Sequence, residues 1–235
     1  MERFYSTFAI DREDGGILSI DKPLGMTSFH VVNLIRKWTD FDKVGHAGTL
    51  DPKATGVLLL CLGSATKQVS KMMEWEKTYI GTIELGTSTD TDDGEGKVIS
   101  RQKVADFSTE LIVEALEKFC GWIHQTPPMY SAIKKDGKRL YKLARKGIHI
   151  HREPRVVHVH RIELLEWNNP KLTIQITCSK GTYVRALARD IGNYLGTGAF
   201  LSTLKRIRVG PYKLEEACSL KKIESLCNAD EYIPV

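Results

Sequence analysis

The sequence has 235 residues, 42% hydrophobic and 27% charged, which is typical of a folded globular protein with one large domain or two small ones. Lysine and arginine exceed aspartate and glutamate to give a formal net charge of +5, which is compatible with a nucleic-acid partner but does not require one. No apolar run approaches the roughly 20 residues of a membrane span, the N-terminus lacks a signal-peptide pattern, and five cysteines without a CxxC spacing argue against a disulfide framework, so a cytoplasmic protein is expected.

The first elements of the chain are predicted to be a strand, a turn and a helix. Residues 16–21 form the strand, and residues 22–28 form a turn that ends in a helix N-cap. The helix that follows is predicted from apolar residues at helical spacing, which are Val31, Leu34, Ile35 and Trp38.

The densest signal is the segment 45–60, in which three glycines and a proline precede a wholly apolar run. Because the run Val57–Leu62 must be buried, Asp51 is expected on a shaped loop that is anchored in the core. A carboxylate in such a place favours a catalytic role, and the alternative is an aspartate that only caps the loop.

The second half predicts further strands and helices separated by short turns. Alternation predicts a strand over residues 78–85, with Tyr79 on its inner face, and residues 87–96 are expected to be a flexible polar loop. An amphipathic helix is predicted to end at Gly121, paired strands over 155–167 and 171–178, and a third helix from Lys180 to Gly196. This order of elements favours an α+β domain with a largely antiparallel sheet.

Four histidines lie in two pairs, each pair two residues apart, at His149, His151, His158 and His160. On a strand, each pair shares a face and invites comparison with a zinc site. No cysteine or carboxylate completes a recognised ligand spacing, and residues 90–101 fail as a calcium loop because Gly94 and Arg101 occupy ligand positions. No metal is therefore expected.

A basic stretch precedes the paired strands and interleaves cations with Tyr141. Phosphate-backbone binding is the functional interpretation and a solvated face is the alternative. We favour binding because an exposed tyrosine could stack on a base. The cations predicted to contact the backbone are Lys134, Lys135, Lys138 and Arg139.

Arg185 falls at the start of the third helix with its stem near the core. A surface arginine is the alternative. A buried arginine needs a carboxylate partner, and Asp51 is a candidate, although the sequence alone cannot bring the two together.

Taken together, these segments resemble the TruB family of tRNA pseudouridine synthases. The similarity rests on KPLGMTS at 22–28, GHAGTLDPKATGV at 45–57, KTY at 77–79 and KGTYVR at 180–185, which occur in the family's order. It covers residues 15–212 and implies the pseudouridine synthase fold, with a central mixed, mostly antiparallel sheet flanked by helices and loops. It also implies that the chain isomerises uridine 55 of the tRNA T loop to pseudouridine by base flipping, without a cofactor.

The resemblance also assigns roles to individual residues. Asp51 matches the catalytic aspartate, Tyr79 the tyrosine that stacks on the target base, and Arg185 the arginine that pairs with the aspartate. His46 matches a histidine that helps to hold the flipped nucleotide. The remaining matches are the uridine-pocket residues Tyr183 and Leu204 and the loop-supporting residues Lys22 and Pro23.

The resemblance implies a short form of the family. Residues 213–235 are too few for the C-terminal PUA domain that many members carry, and 220–226 predict a terminal helix. We expect one catalytic domain over residues 1–235, with 125–153 as an excursion that contacts RNA. A monomer that binds the tRNA T arm, with no membrane or metal partner, is expected.

Two other function classes compete with the RNA isomerase. One is a catalytically silent module that binds or folds tRNA, which the intact set of Asp51, Tyr79 and Arg185 disfavours because binding alone does not need a buried carboxylate. The other is a metal-dependent hydrolase built on the four histidines with Asp90 or Asp92, which sensitivity to a chelator would reveal.

Overall fold

The computed structural model describes residues 1–131, 133–135, 137–148 and 150–228. His149 of the histidine cluster and the last seven residues of the predicted tail, 229–235, lie outside this part of the chain. The chain divides into two compact units, the first made of Met1–Tyr79 with Lys205–Val235 and the second of Ile80–Leu204. Within the described residues, no helix is long and apolar enough to cross a membrane.

The α-helices of the described residues are α1 (Glu2–Phe8), α2 (Ser28–Trp38), α3 (Val69–Met73), α4 (Thr109–Glu117), α5 (Leu140–Ala144), α6 (Val184–Tyr194) and α7 (Leu220–Asn228). The strands are β1 (Gly15–Lys22), β2 (Val44–His46), β3 (Ala54–Gly63), β4 (Lys77–Leu85), β5 (Thr87–Thr89), β6 (Val98–Arg101), β7 (Gly121–Gln125), β8 (Lys134–Lys135), β9 (Lys138–Arg139), β10 (Arg155–Asn168), β11 (Lys171–Cys178), β12 (Ala199–Val209), β13 (Tyr212–Lys213) and β14 (Cys218–Ser219).

In the first unit, the strand order is β14-β1-β3-β12, with β2 also paired to β3 and β13 to β12. Strand β1 runs antiparallel to β3 from the pair Gly15 and Gly63 to the pair Lys22 and Gly56, whereas β14 runs parallel to β1. Strand β3 is almost wholly buried, as its apolar sequence predicts. The long β1–β3 ladder fixes where β3 starts, and therefore where the segment that carries Asp51 joins the sheet.

In the second unit, the strand order is β12-β4-β11-β10-β7, and β5 with β6 and β8 with β9 form two small hairpins. The antiparallel pairing of β10 with β11 confirms the two predicted strands, and β10 also pairs with β7, a strand that the sequence did not indicate. Helix α6 buries one apolar face, and Gly196 follows its end at φ 70°, as a C′ glycine should.

The structure confirms the α+β class and the mixed sheet, and it corrects three local predictions. Thr27, not Ser28, caps α2 by accepting a hydrogen bond from the His30 amide at 3.0 Å. On the same helix, Val32 is buried whereas Leu34 and Trp38 are only half-buried. The predicted flexible loop over 87–96 is instead strand β5 and an ordered turn in which Thr91 and Asp93 are buried.

Candidate active site

Asp51 lies in the connection between β2 and β3, and its neighbours anchor this connection to the core. Ala47 and Leu50 are buried, and the Ala47 amide donates to the Leu59 carbonyl at 2.9 Å. The Ala54 amide donates to the Asp51 carbonyl at 3.0 Å and closes a turn around the half-buried Asp51 side chain. The predicted loop anchored in the core is confirmed.

Lys22, at the end of β1, supports this loop from one side. Its buried ammonium donates to the carbonyls of Pro23 (2.9 Å), Met26 (2.7 Å) and Pro52 (3.4 Å). Burial lowers the pKa of Lys22 to about 8, and the Asp51 carboxylate partly opposes this shift. The turn after Lys22 adds a second bond, from the Gly25 amide to the Pro52 carbonyl at 2.8 Å. Pro23 itself is exposed and contributes its carbonyl.

Ser28 holds the residue before Asp51. Its buried hydroxyl accepts from the Leu50 amide at 2.8 Å and donates to the Leu50 carbonyl at 3.0 Å. Both backbone polar groups of Leu50 are therefore satisfied in the core, where unpaired groups would be costly. Ser28 is the first residue of α2, so the N-cap is Thr27.

Arg206, on β12, reaches both ends of the same segment. Its side chain is 1% exposed, its Nε donates to the Val57 carbonyl at 2.7 Å, and one terminal nitrogen donates to the Gly48 carbonyl at 3.1 Å. Gly48 has φ 108°, and a Cβ there would lie 3.4 Å from the other terminal nitrogen of Arg206. Glycine at position 48 therefore suits both the backbone angle and the approach of the guanidinium.

His46 ends β2 beside this loop and is half-buried. Its Nδ1 is buried, and no group of the described residues forms a hydrogen bond with it. Burial lowers the pKa of His46, and the charge of Arg206 lowers it further, so the neutral imidazole is favoured. A neutral ring has one donor and one acceptor nitrogen, and the half-buried position of His46 leaves part of the ring accessible.

Tyr79 lies on β4 at the end of the first unit and is half-buried. Lys77, two residues earlier, is buried and donates to the Met73 carbonyl at 2.6 Å. Arg208 donates to the Thr78 hydroxyl at 3.2 Å. The strand segment that carries Tyr79 is therefore held by side-chain contacts on both preceding residues.

In the second unit, three acceptors fix Arg185, which lies in the first turn of α6. Its guanidinium donates to the Thr91 carbonyl (3.1 Å), the Asp93 carboxylate (3.1 Å) and the Tyr130 carbonyl (2.8 Å). Arg185 is buried, as predicted, and Asp93 supplies a carboxylate partner. Asp51 belongs to the other unit, and its pairing with Arg185 stays a prediction.

The turn after β5 is built around two adjacent carboxylates. Asp93 also accepts from the Thr91 hydroxyl at 2.6 Å and from the Glu95 amide at 3.0 Å. Asp92 pairs with Arg189 at 2.9 Å, and burial raises the pKa of Asp92 although Arg189 opposes the shift. Residues four apart on α6 thus bind neighbouring aspartates, which orders a segment whose composition predicts a flexible loop.

Tyr183 and Leu204 are both half-buried. The Tyr183 backbone exchanges two hydrogen bonds with the Gln125 side chain, at 2.8 and 3.1 Å, which fixes the chain as it enters α6. Leu204, on β12, lies near Gly81 of β4, where an added Cβ would be 3.5 Å from a Leu204 methyl group. Their predicted roles in a uridine pocket remain predictions.

The predicted RNA-contacting excursion contains the β8–β9 hairpin and α5. Lys134 pairs with Arg139 and Lys135 with Lys138 in the hairpin register, and the side chains of Lys138 and Arg139 are exposed. Farther along, the Arg145 guanidinium lies 5.6 Å from the centre of the Tyr141 ring. This places the predicted cations on a short β-hairpin, an element that the sequence did not indicate.

The described histidines do not converge on one site. His158 and His160 are neighbours on β10, with their Nδ1 atoms 2.9 Å apart, and the exposed Trp122 ring lies 4.6 Å from His158. His151 instead pairs with Glu153 at 3.0 Å. Within the part of the chain that the structure describes, no group of three or more His, Cys, Asp or Glu side chains could hold a metal ion.

Sequence comparison assigns the family. The model of the TruB family pseudouridylate synthase N-terminal domain matches residues 36–184, and that of the tRNA pseudouridylate synthase B C-terminal domain matches residues 185–233. This chain belongs to the TruB family. The predicted resemblance is confirmed.

Among TruB relatives, tRNA pseudouridine synthase B of Dechloromonas aromatica is 47% identical over 214 residues, which covers 91% of this chain and 71% of that protein. The Clostridium tetani protein of the same name is 46% identical over 93% of this chain and 75% of its own length. The Bordetella pertussis protein is 43% identical over 92% of this chain and 89% of its own length.

Solved structures show the same fold. A chain of a Cbf5-Nop10-Gar1 complex superposes with a TM-score of 0.72 at 31% identity, covering 93% of this chain. A chain of an H/ACA ribonucleoprotein bound to a substrate RNA containing 2'-deoxyuridine superposes with a TM-score of 0.69 at 28% identity. This chain spans only 57% and 56% of those two chains.

Two residues that shape the site are absent from the sequence predictions. Arg206 lies between Lys205 and Arg208 in a basic stretch, a pattern that indicates a surface strand, and its burial depends on carbonyls about 150 residues away. Asp93 lies among acidic residues that predict a solvated loop. The pairing of Asp93 with Arg185 across 92 positions carries no local signal.

Proposed function

We propose that this chain is a tRNA pseudouridine synthase that isomerises uridine 55 of the T loop. Membership of the TruB family supports the reaction class. The observation that carries the site is the Asp51 loop, which Lys22, Ser28 and Arg206 hold by hydrogen bonds to the backbone on both sides of the carboxylate. A reactive group that is fixed in this way loses little freedom when the substrate arrives.

The reaction breaks the N-glycosidic bond of uridine and remakes a bond from the sugar carbon to C5 of the same base. It involves neither net oxidation nor an external group, so protein side chains suffice and no cofactor or metal is proposed. Asp51 acts in its ionised form, either by attacking the target nucleotide or by abstracting a sugar proton. The C5 proton then leaves to water or to Tyr79.

The other site residues follow from the need to flip the target nucleotide out of its stack, which costs a few kcal/mol. Tyr79 stacks on the flipped base and returns part of that cost. His46, which is half-buried beside the loop, hydrogen-bonds the flipped nucleotide. Tyr183 and Leu204 line the uridine pocket, and Arg185 pairs with Asp51. Lys22 and Pro23 support the loop.

Affinity for the T arm comes mainly from phosphate contacts, which give little sequence information. The β8–β9 hairpin supplies Lys134, Lys135, Lys138 and Arg139 for this purpose. The chain acts as one catalytic domain over residues 1–235. It works as a cytoplasmic monomer.

Chemical mapping of pseudouridine tests this proposal. The protein is incubated with an unmodified tRNA transcript and with a matched transcript that has cytidine at position 55. We expect a single new pseudouridine at position 55 of the first transcript and none in the second. Tight tRNA binding without pseudouridine would instead support the catalytically silent module.

A further inference from the structure

Arg206 is a buried arginine, and the burial of its positive charge costs free energy. Its side chain is 1% exposed, and none of the ion pairs among the described residues involves it. Burying an ionised group without a charged partner costs free energy, so stability alone gives little reason for an arginine here. Its hydrogen bonds instead go to two backbone carbonyls, one on each side of Asp51.

The two acceptors bracket the segment that carries the carboxylate. The Gly48 carbonyl precedes Asp51 by three residues, and the Val57 carbonyl follows it by six, at the start of the buried run of β3. One planar guanidinium therefore joins both ends of the segment. The backbone at Gly56 packs against the same residue, since a Cβ there would collide with the Arg206 carbonyl oxygen.

We propose that Arg206 is a positioning residue for the reaction, which fixes the approach of the Asp51 carboxylate by tying Gly48 to Val57. This inference rests on the proposed function, in which Asp51 carries the chemistry. The role requires arginine because the two bonds leave from Nε and a terminal nitrogen of one rigid plane. A lysine ammonium keeps the charge but lacks that planar fork.

Arg206 also sets the charge of the groups beside the loop. Its cation is the charged neighbour that lowers the pKa of His46, after burial, and it lowers the pKa of Lys22 while Asp51 and Asp21 raise it. Removing the charge should raise both pKa values, and replacing arginine with lysine should largely preserve them. The geometric and the electrostatic roles can thus be measured separately.

The variants are Arg206→Lys and Arg206→Gln, with Arg12→Lys and Arg12→Gln as matched controls. Arg12 is an arginine of the same unit, but it is exposed and pairs with Glu2. Each variant is assayed for its single-turnover rate at saturating enzyme, its tRNA Kd, its circular dichroism and the pKa of His46 by NMR.

We expect both Arg206 variants to have single-turnover rates about 100-fold below wild type, since small misplacements of a reacting group cost that much, with tRNA Kd changed less than about threefold. The pKa of His46 should rise in Arg206→Gln and stay near its wild-type value in Arg206→Lys. The Arg12 variants should keep both the rate and the pKa.

Rates within threefold of wild type in both Arg206 variants, or an equal fall in the Arg12 variants, would overturn the inference. Loss of the native circular dichroism spectrum in Arg206→Lys would also overturn it, because the arginine would then be a stability residue. Failure of the proposed function is distinguishable, since the wild-type protein would then form no pseudouridine.

Discussion

Single residues explain why one carboxylate of this chain is suited to chemistry. Asp51 lies on a connection whose backbone carbonyls are bound by two buried cations, Lys22 and Arg206. In the second unit, Arg185 is held equally firmly by two carbonyls and Asp93. Several hydrogen bonds restrict the orientation of such a side chain, and a restricted orientation lowers the entropy cost of reaching the reactive geometry.

Arg185→Lys should lower turnover on the order of 100-fold with little change in tRNA Kd, because lysine keeps the charge but lacks the fork that bonds three acceptors. On the proposed pairing with Asp51, Arg185→Ala should raise the pKa of Asp51 by removing its partner cation, so the acid limb of the rate profile should move to higher pH. Single-turnover rates across pH check both outcomes. Arg189→Lys, four residues along α6, is the control, and near-normal rates in both Arg185 variants would exclude the pairing with Asp51.

Lys22 predicts a pH dependence of stability. Its pKa is lowered from 10.5 to about 8, so the folded protein binds this proton more weakly than the unfolded chain does. The free energy of unfolding therefore gains a contribution from Lys22 as pH rises from about 8 towards 10.5, by at most about 3 kcal/mol. The free energy of unfolding of the wild type minus that of Lys22→Met should therefore increase across this range.

Urea unfolding at pH 7 and pH 9.5 measures that difference. Lys43→Met, at an exposed position, is the control and should show no such growth. A difference for Lys22→Met that is the same at both pH values would mean that Lys22 is not desolvated in the folded protein.

At the scale of elements, the sequence predicts what depends on local patterns. The apolar run of β3, the β10–β11 hairpin and the amphipathic α6 follow from periodicity and turn residues, and the structure confirms them. Local patterns do not predict that the 90–96 turn is ordered or that Arg206 is buried, because both depend on partners about 90 to 150 residues away. Local composition predicts solvent exposure in both places.

The β8–β9 hairpin predicts the salt dependence of tRNA binding. Neutralising Lys134, Lys135, Lys138 and Arg139 together should reduce the slope of log K against log salt by about one for each phosphate that the protein no longer binds. Binding measured from 50 to 300 mM salt checks this. The control neutralises four exposed lysines elsewhere, Lys37, Lys43, Lys221 and Lys222. Equal slopes for both quadruple variants would place the tRNA on another surface.

At the scale of the whole molecule, the chain is a TruB protein whose matches cover residues 36–233. Its formal net charge of +5 is modest for a protein that binds a polyanion. We therefore expect the local placement of cations, more than bulk charge, to direct the tRNA. The proposed reaction requires only the side chains of the protein and neither a cofactor nor a metal.

Activity should therefore survive exhaustive dialysis against EDTA, provided that the tRNA is folded before the assay. Among the described residues, His151, His158 and His160 belong to no group of three or more His, Cys, Asp or Glu side chains that could hold a metal ion. Turnover before and after dialysis, with and without added zinc, is the measurement. Activity that disappears and returns only with zinc would mean that the histidine cluster was misinterpreted.

The central claim is that Asp51 performs the chemistry while other residues bind the tRNA. Asp51→Asn keeps the size of the side chain and removes the negative charge, which is required both for attack on the nucleotide and for abstraction of a sugar proton. The single-turnover rate of pseudouridine formation at position 55 and the tRNA Kd, measured on one preparation of this variant, test the claim most directly. We predict no detectable product with a Kd within about threefold of wild type. Appreciable turnover by Asp51→Asn would contradict the account.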